Sequence, residues 1–156
     1  MDRDDVAMRM FVEQVARAFA DWGFPRMAAR VLMAMFASDE PALTAGELAE
    51  RLGVSPAAIS GAVRYLIQIN MIAREPVPGS RRDVYRLVDD SWYEVSMAKM
   101  TLFKDLVVAL RDGVEAAGGP DTPAGARLAD MRDYFQYVQE KLPDVLAGWR
   151  ERDTRG

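Results

Sequence analysis

Residues 53–72 read GVSPAAISGAVRYLIQINMI. Ile59, Ala62, Val63, Leu66 and Ile67 recur at the three-and-four spacing that turns side chains to one buried stripe of a helix. Between them Ala57, Ser60, Gly61, Arg64 and Gln68 form a second row, small near its start and polar further on. A surface helix that serves only the fold more often carries Glu and Lys on such a row. The question is what this second face is cleared to touch.

The flanking residues say how the helix is set. Ser55 caps it, and Pro56 takes its first position, where a missing N–H costs nothing. Upstream, Thr44 followed by Glu47 forms a capping box for a short helix that packs Leu48, Ala49 and Leu52 and ends at Gly53. Two helices joined by a turn of about three residues containing Gly make a helix-turn-helix. After Asn70 the pattern changes to period two. Val84, Tyr85, Arg86, Leu87 and Val88 are rich in strand-formers, and Pro78-Gly79-Ser80 supplies a turn between two short strands. A hairpin in that place is a wing, with Arg81 and Arg82 at its tip. The expected fold is mainly α with a small β-hairpin wing, a winged helix-turn-helix flanked by N- and C-terminal dimerisation helices.

Composition closes off several functions. The chain has 156 residues, enough for one domain with helical extensions, and it contains neither cysteine nor histidine. Thiol chemistry and thiolate metal sites are excluded, and so is the usual general base at neutral pH. No constellation of carboxylates, Lys, Tyr or Ser replaces them, so the expectation is a non-enzyme without metal or cofactor. The first residues, Met1-Asp2-Arg3-Asp4-Asp5, are acidic where a signal peptide is basic. The apolar run from Met27 to Ala37 is broken by Arg30 and is shorter than the ~20 residues that span a bilayer. A soluble, cytoplasmic protein is expected.

The charge is unevenly placed. The whole chain is net −4, yet residues 55–88 hold Arg64, Arg74, Arg81, Arg82 and Arg86 against Glu75 and Asp83, a net +3. Residues 1–54 and 89–156 are both net acidic. The one basic section is therefore the helix and wing that would lie against phosphates, as DNA binding requires.

Three stretches carry a family resemblance: GFPRMAARVLMAMF, LTAGELAERLGVSPAAISGAVRYL and VPGSRRDVYRL. In this order they resemble the MarR-type winged helix-turn-helix regulators, specifically the GbsR-like branch, over roughly Phe11 to Trp92. The resemblance implies a bacterial, homodimeric, DNA-binding transcription factor, often controlled by a small ligand; repression is the expected mode. The wing departs from the Asp-x-Arg arrangement common in that family, with GSRRDVY in its place.

On this reading the second face of the helix meets double-stranded DNA in the major groove. Ala57, Ser60 and Gly61 let the backbone approach, Ser55 and Ser60 donate to phosphates or bases, and Arg64 and Gln68 reach either. Arg64 can form a bidentate contact to guanine. The resemblance places Arg81 and Arg82 where wing residues enter the minor groove, whose negative potential attracts guanidinium. Tyr65 is divided between core edge and phosphate contact. Arg74 reads as structural or phosphate-facing, and Arg86 can pair with Glu75 across the hairpin. The competing readings are solvated charges and a winged helix used only for protein contacts.

The remaining segments are assigned to assembly. Residues 1–22 form an N-terminal helix with Met8, Phe11, Val12, Val15, Phe19 and Trp22 on one stripe, 23–90 the DNA-binding domain, and 91–156 a helical dimerisation region. In the last, Asp89, Asp90 or Ser91 caps a helix to about Ala117 that carries Trp92, Val95, Met100, Phe103, Val107 and Leu110. Thr122 and Pro123 open another with Leu128, Met131, Phe135, Val138 and Leu142. A final turn from Pro143 carries Val145, Leu146 and Trp149. These apolar faces exceed what a small winged domain can bury, so a second copy is expected. A small-molecule effector is optional: the methionines and Trp22, Trp92, Tyr93, Tyr134 and Tyr137 can line a cavity, but core packing explains most of them, and no effector residue is assigned.

Overall fold

The computed structural model describes residues 4–89 and 102–154. The chain divides into two compact units, residues 1–91 and 92–156. The first contains α1 (Asp5–Asp21), α2 (Arg26–Phe36), β1 (Leu43–Thr44), α3 (Ala45–Leu52), α4 (Pro56–Gln68), β2 (Ile72–Pro76) and β3 (Asp83–Leu87). The second contains α5 (Leu102–Ala116) and α6 (Pro123–Asp153).

Helix α2 is the centre of the first unit. Ala28, Ala29, Val31, Leu32, Met33, Ala34 and Met35 are all buried, as expected of a helix that is apolar nearly all round. It packs against α1, α3 and α4 and touches β3. Its one charged interior residue, Arg30, joins three elements. Its guanidinium pairs with Glu13 of α1 at 2.6 Å and donates at 3.1 Å to the carbonyl of Leu52, the last residue of α3. That carbonyl belongs to a helix end, which has no partner of its own.

The helix-turn-helix follows the local chemistry of its sequence. The Thr44 hydroxyl accepts from the Glu47 N–H, and the Glu47 carboxylate accepts from the Thr44 N–H. Those contacts, the backbone one first, hold the Glu47 carboxyl below its ordinary pKa. Gly53 at φ 63° closes α3 in the left-handed conformation that glycine adopts without strain. Ser55 caps α4 at Ala58, with Pro56 at the first position. At the far end of α4, Asn70 takes φ 60°, and the Met71 N–H returns to the Leu66 carbonyl at 2.9 Å. This turn delivers Ile72 into the core.

The sheet has one more strand than the sequence reading expects. Its order is β1-β3-β2, all antiparallel, with Leu43 opposite Tyr85 and Ile72 opposite Leu87. Two residues cannot show an alternation, so β1 is hidden in the segment that reads only as a break. Leu43 is nonetheless buried at 1% exposure and ties the start of α3 to the wing.

Helix α1 buries Val12 and Ala16, whereas Phe11 and Trp22 of the expected stripe are exposed. Trp22 follows the last helical turn, so the helical period no longer aims it inward.

In the second unit α5 and α6 form an antiparallel hairpin, with Val107, Leu110 and Val114 buried and the Phe103 and Phe135 rings 5.1 Å apart. Thr122 caps α6, as its sequence indicates. A Cβ at Gly125 would meet the Gly119 carbonyl oxygen at 1.9 Å, so the hairpin closes on a glycine. The expected break at Pro143 is absent: α6 runs through it as one helix of 31 residues. Leu128, Phe135, Leu142 and Trp149 fall seven apart, and so do Met131, Val138 and Val145, so one apolar seam continues across the proline. The proposed caps at Asp90 and Ser91, and Trp92, Val95 and Met100, lie outside the described residues.

Replacing Arg30 with Ala should lower the stability of the fold by about 1–3 kcal/mol, discounted for the partly exposed Glu13 partner. Urea denaturation of wild type and Arg30→Ala checks this. Equal midpoints would show that the three-element tie does not hold the unit together.

Candidate nucleic-acid interface

Helix α4 has two faces with different chemistry. Ile59, Ala62, Val63 and Leu66 are buried, and Ile59 and Leu66 have no exposed area. Burying each of those two contributes roughly 1.5–3 kcal/mol, which fixes the helix by its inner side. Ala57, Ser60, Gly61, Arg64 and Gln68 are all exposed. At about 100° per residue they fall within an arc of ~100° and run ~16 Å along the helix. Ile67, read as core, is half-buried at the border between the faces. Tyr65 is also half-buried, edge-on to Phe24 at 6.2 Å, and belongs to the core edge.

The middle of the outer row is open. A Cβ added at Gly61 would find nothing within 4 Å. Ser55 keeps its hydroxyl oxygen on the Ala58 N–H at 3.3 Å, so it caps α4 and retains only its own O–H to donate elsewhere.

The wing hairpin sorts its arginines. Val77-Pro78-Gly79-Ser80 closes with the Ser80 N–H on the Val77 carbonyl at 3.1 Å, and Gly79 at φ 76° makes it a type II turn. The Arg82 N–H donates to Ser80 Oγ at 3.0 Å, and both Arg81 and Arg82 are exposed. Arg86 pairs with Glu75 across the two strands, and that carboxylate raises the Arg86 pKa further. Arg74 approaches Asp83 at 3.8 Å and lies over the Tyr85 ring at 5.7 Å. Both acidic groups of residues 55–88 are thereby matched to arginines. The excess charge resides on Arg64, Arg81 and Arg82, which form no ion pair at contact distance among the described residues, although Arg82 is near enough to Glu47 to help lower its carboxyl pKa. Sequence reading treated Tyr85 only as a strand-former; its place under Arg74 depends on the β2–β3 register, which composition does not reveal.

Trp22, Tyr134 and Tyr137 are exposed, and Trp92 and Tyr93 lie outside the described residues. A separate cleft of about 550 Å³ opens between α1, the end of α2 and the end of α3, lined by Met8, Val12, Glu13, Arg51 and Leu52 among others and by no aromatic ring. Among the described residues no group of histidine, cysteine or carboxylate side chains could hold a metal, and no helix is long and apolar enough to cross a membrane.

Comparison with known proteins agrees with this geometry. A family model described as MarR family matches residues 22–83, and one described as MmpR5-like MarR family transcriptional regulator matches residues 90–152. The second match falls where the sequence patterns carried no motif beyond helicity. The chain is 30% identical over 142 residues to the HTH-type transcriptional regulator MmpR5 of Mycobacterium tuberculosis (strain ATCC 25618 / H37Rv), covering 91% of this chain and 86% of that one. It is 26% identical over 151 residues to the HTH-type transcriptional repressor OpcR of Bacillus subtilis (strain 168), covering 88% and 81%. A crystal structure of a transcriptional regulator superposes with a TM-score of 0.71 at 29% identity, over 93% of this chain and 99% of that one.

Gly61 gives a test of the outer face in the free protein. A mid-helix glycine costs about 0.5–1 kcal/mol relative to alanine, and here nothing obstructs the methyl group. Gly61→Ala should therefore raise the thermal midpoint of the isolated protein, measured by circular dichroism. A lower midpoint would mean that the outer face is packed rather than open.

Proposed function

The chain belongs to the MarR family of DNA-binding transcriptional regulators, and from that premise we propose that it is a GbsR-like cytoplasmic repressor acting as a homodimer on an inverted-repeat operator. The observation that carries this reading is the outer face of α4: a small, open row leading to Arg64, beside a wing whose tip adds Arg81 and Arg82 without bound counter-charges. Small residues let the helix axis approach the base edges, and the arginine fork then has a geometry suited to guanine. Gly61 has its reason here: a side chain on that row would hold the backbone away from the groove. Ser55, Ala57, Ser60, Gly61, Arg64, Gln68, Arg81 and Arg82 make up the proposed DNA contact set.

Dimerisation is supported by unburied apolar side chains on both outer elements. Val6, Met10 and Phe11 of α1 are 60%, 69% and 47% exposed, and Met131, Tyr134, Tyr137 and Val145 of α6 are likewise exposed. A second copy is the simplest cover for both. Two copies related by a two-fold axis present two α4 helices, which fit half-sites about 10–10.5 bp apart or a multiple of that. Repression follows from occupancy of such a site, and the relative OpcR carries that description. An effector would act by shifting the separation of the two helices; the cleft beside α1 has room for one.

Sedimentation at micromolar concentration should give about twice the 17.4 kDa chain mass; a monomer removes the two-fold geometry. Selection of genomic fragments with the purified protein should return inverted repeats, and those duplexes then separate the arginines. Arg64→Ala should cost roughly 1–3 kcal/mol on the selected duplex and much less on a scrambled one. Replacing Arg81 and Arg82 together should weaken both duplexes more evenly and shallow the salt dependence by about one unit per lost phosphate contact. Equal losses for Arg64→Ala on both duplexes would take base reading away from that residue.

A further inference from the structure

The turn between α3 and α4 is short. Leu52 ends α3, Gly53 turns left-handed, and Ser55 already caps α4, so only Gly53 and Val54 lie between helix and cap. The peptide plane that joins Leu52 to Gly53 sits where the chain changes direction. Its N–H donates to the Glu50 carbonyl at 3.2 Å, and its carbonyl accepts from Arg30 Nη2 at 3.1 Å. The plane is thus held at both ends, once from within α3 and once from α2.

Arg30 is aimed by Glu13. Its Nε donates to Glu13 Oε1 at 2.7 Å, and Nη2 meets the same oxygen at 2.6 Å. Nη2 is also the nitrogen that donates to Leu52, so its two hydrogens are divided between the carboxylate and the carbonyl. The guanidinium is planar, and its N–H directions are fixed relative to one another. Clamping Nε and Nη2 on one carboxylate oxygen therefore sets where the remaining Nη2 hydrogen points. The third nitrogen, Nη1, has only the Met27 sulfur at 3.9 Å, a weak acceptor that cannot supply this hold. Glu13 itself lies on α1, which contributes no residue to the proposed DNA contact set.

We propose that Glu13 is a positioning residue for sequence reading: through Arg30 it fixes the Leu52–Gly53 peptide, and with it the tilt at which α4 presents Arg64 to a base edge. The inference rests on the DNA-binding reading and extends it to a residue that touches no DNA. The lever is the helix itself. Arg64 stands eight residues beyond Pro56, about 12 Å along the axis, so each degree of tilt at the turn moves it by about 0.2 Å. A site held to about 0.5 Å is out of register after about three degrees. Packing of Ile59 and Leu66 decides which face of α4 is down, but the hydrophobic effect has no direction and resists so small a tilt weakly. A hydrogen bond at the start of the helix has a direction. The Glu13 side chain is 42% exposed and that of Arg30 17%, so water screens the pair, and the expected effect is a loss of discrimination rather than of folding.

Glu13→Ala removes the carboxylate at a half-buried helical position that alanine suits, and Glu13→Gln keeps a side-chain oxygen that accepts from Arg30. Each is measured against wild type on the selected operator duplex and on a scrambled one, at a temperature where circular dichroism shows all three proteins fully folded. Glu13→Ala should bind the selected duplex about three- to tenfold more weakly and the scrambled duplex nearly as wild type, so the ratio of the two affinities falls by about the same factor. Glu13→Gln should restore most of the ratio. A role confined to stability would move both affinities together. An unchanged ratio in Glu13→Ala overturns the proposal, and so does a Glu13→Gln protein as impaired as Glu13→Ala. The DNA-free protein supplies a second readout. The Gly53 amide resonance belongs to the tied peptide; it should shift in Glu13→Ala and return toward its wild-type position in Glu13→Gln. A Gly53 resonance that ignores Glu13 overturns the coupling. A wild type that does not distinguish the two duplexes fails at the regulator reading itself, while the Gly53 resonance still reports the coupling.

Discussion

Arg30 is the constraint on which the first unit depends. Helix α2 is apolar on nearly every side, and a helix of that kind can slide or rotate within its neighbours at little cost in buried area. One guanidinium removes that freedom. It fastens to Glu13 on α1 and to the terminal carbonyl of α3, immediately before the Gly53 turn that launches α4. Only arginine has a planar fork that reaches a carboxylate and a carbonyl at once while its stem stays in an apolar layer. The orientation of α4 is thereby set twice, by the buried face that packs on α2 and by a hydrogen bond at the turn from which it starts.

That double setting is what allows the outer face of α4 to be poorly suited to a helix. Gly61 weakens it, and no salt-bridged pair runs along it. Burial of Ile59, Ala62, Val63 and Leu66 outweighs the loss. Charge is handled by the same division of labour. Glu75 and Asp83 take up Arg86 and Arg74, which strengthens the hairpin as a rigid support, and the three arginines left over all lie on α4 or the wing tip. A chain that is acidic overall can in this way present a locally basic surface to a polyanion. The remaining acidic residues then discourage approach in other orientations.

Much of this was legible from the residues, and the limits have physical causes. Caps and periodicity are local: Thr44 with Glu47, Ser55 with Pro56, Thr122 with Pro123, and the buried stripe of α4 are all where the sequence puts them. The pairing of Arg86 with Glu75 was also readable, because a hairpin brings together residues at a predictable separation. Non-local pairings were not. Strand β1 has two residues and acquires its meaning from β3, some forty positions further on. Pro143 misled for a different reason: a proline inside a helix costs about 3 kcal/mol, and only the continued seam of Leu142, Val145 and Trp149 shows that the helix survives it.

Among the described residues that break local rules, Arg30, Pro143 and Gly61 depart from them for three different reasons. Arg30 interrupts an apolar helix and is explained inside the fold by its two partners. Pro143 interrupts α6, and the apolar seam on both sides of it is the countervailing term. Gly61 has neither kind of compensation: it accepts no close neighbour, closes no turn and has an ordinary helical φ. Natural sequences keep such inconsistencies mainly where something outside the folded chain requires them. On the proposed DNA-binding reading, the requirement at Gly61 points outward along the row that ends at Arg64 and Gln68, where one absent methyl group lets the helix settle closer to its partner. A residue whose removal would cost the free protein nothing is best understood through the surface it leaves open.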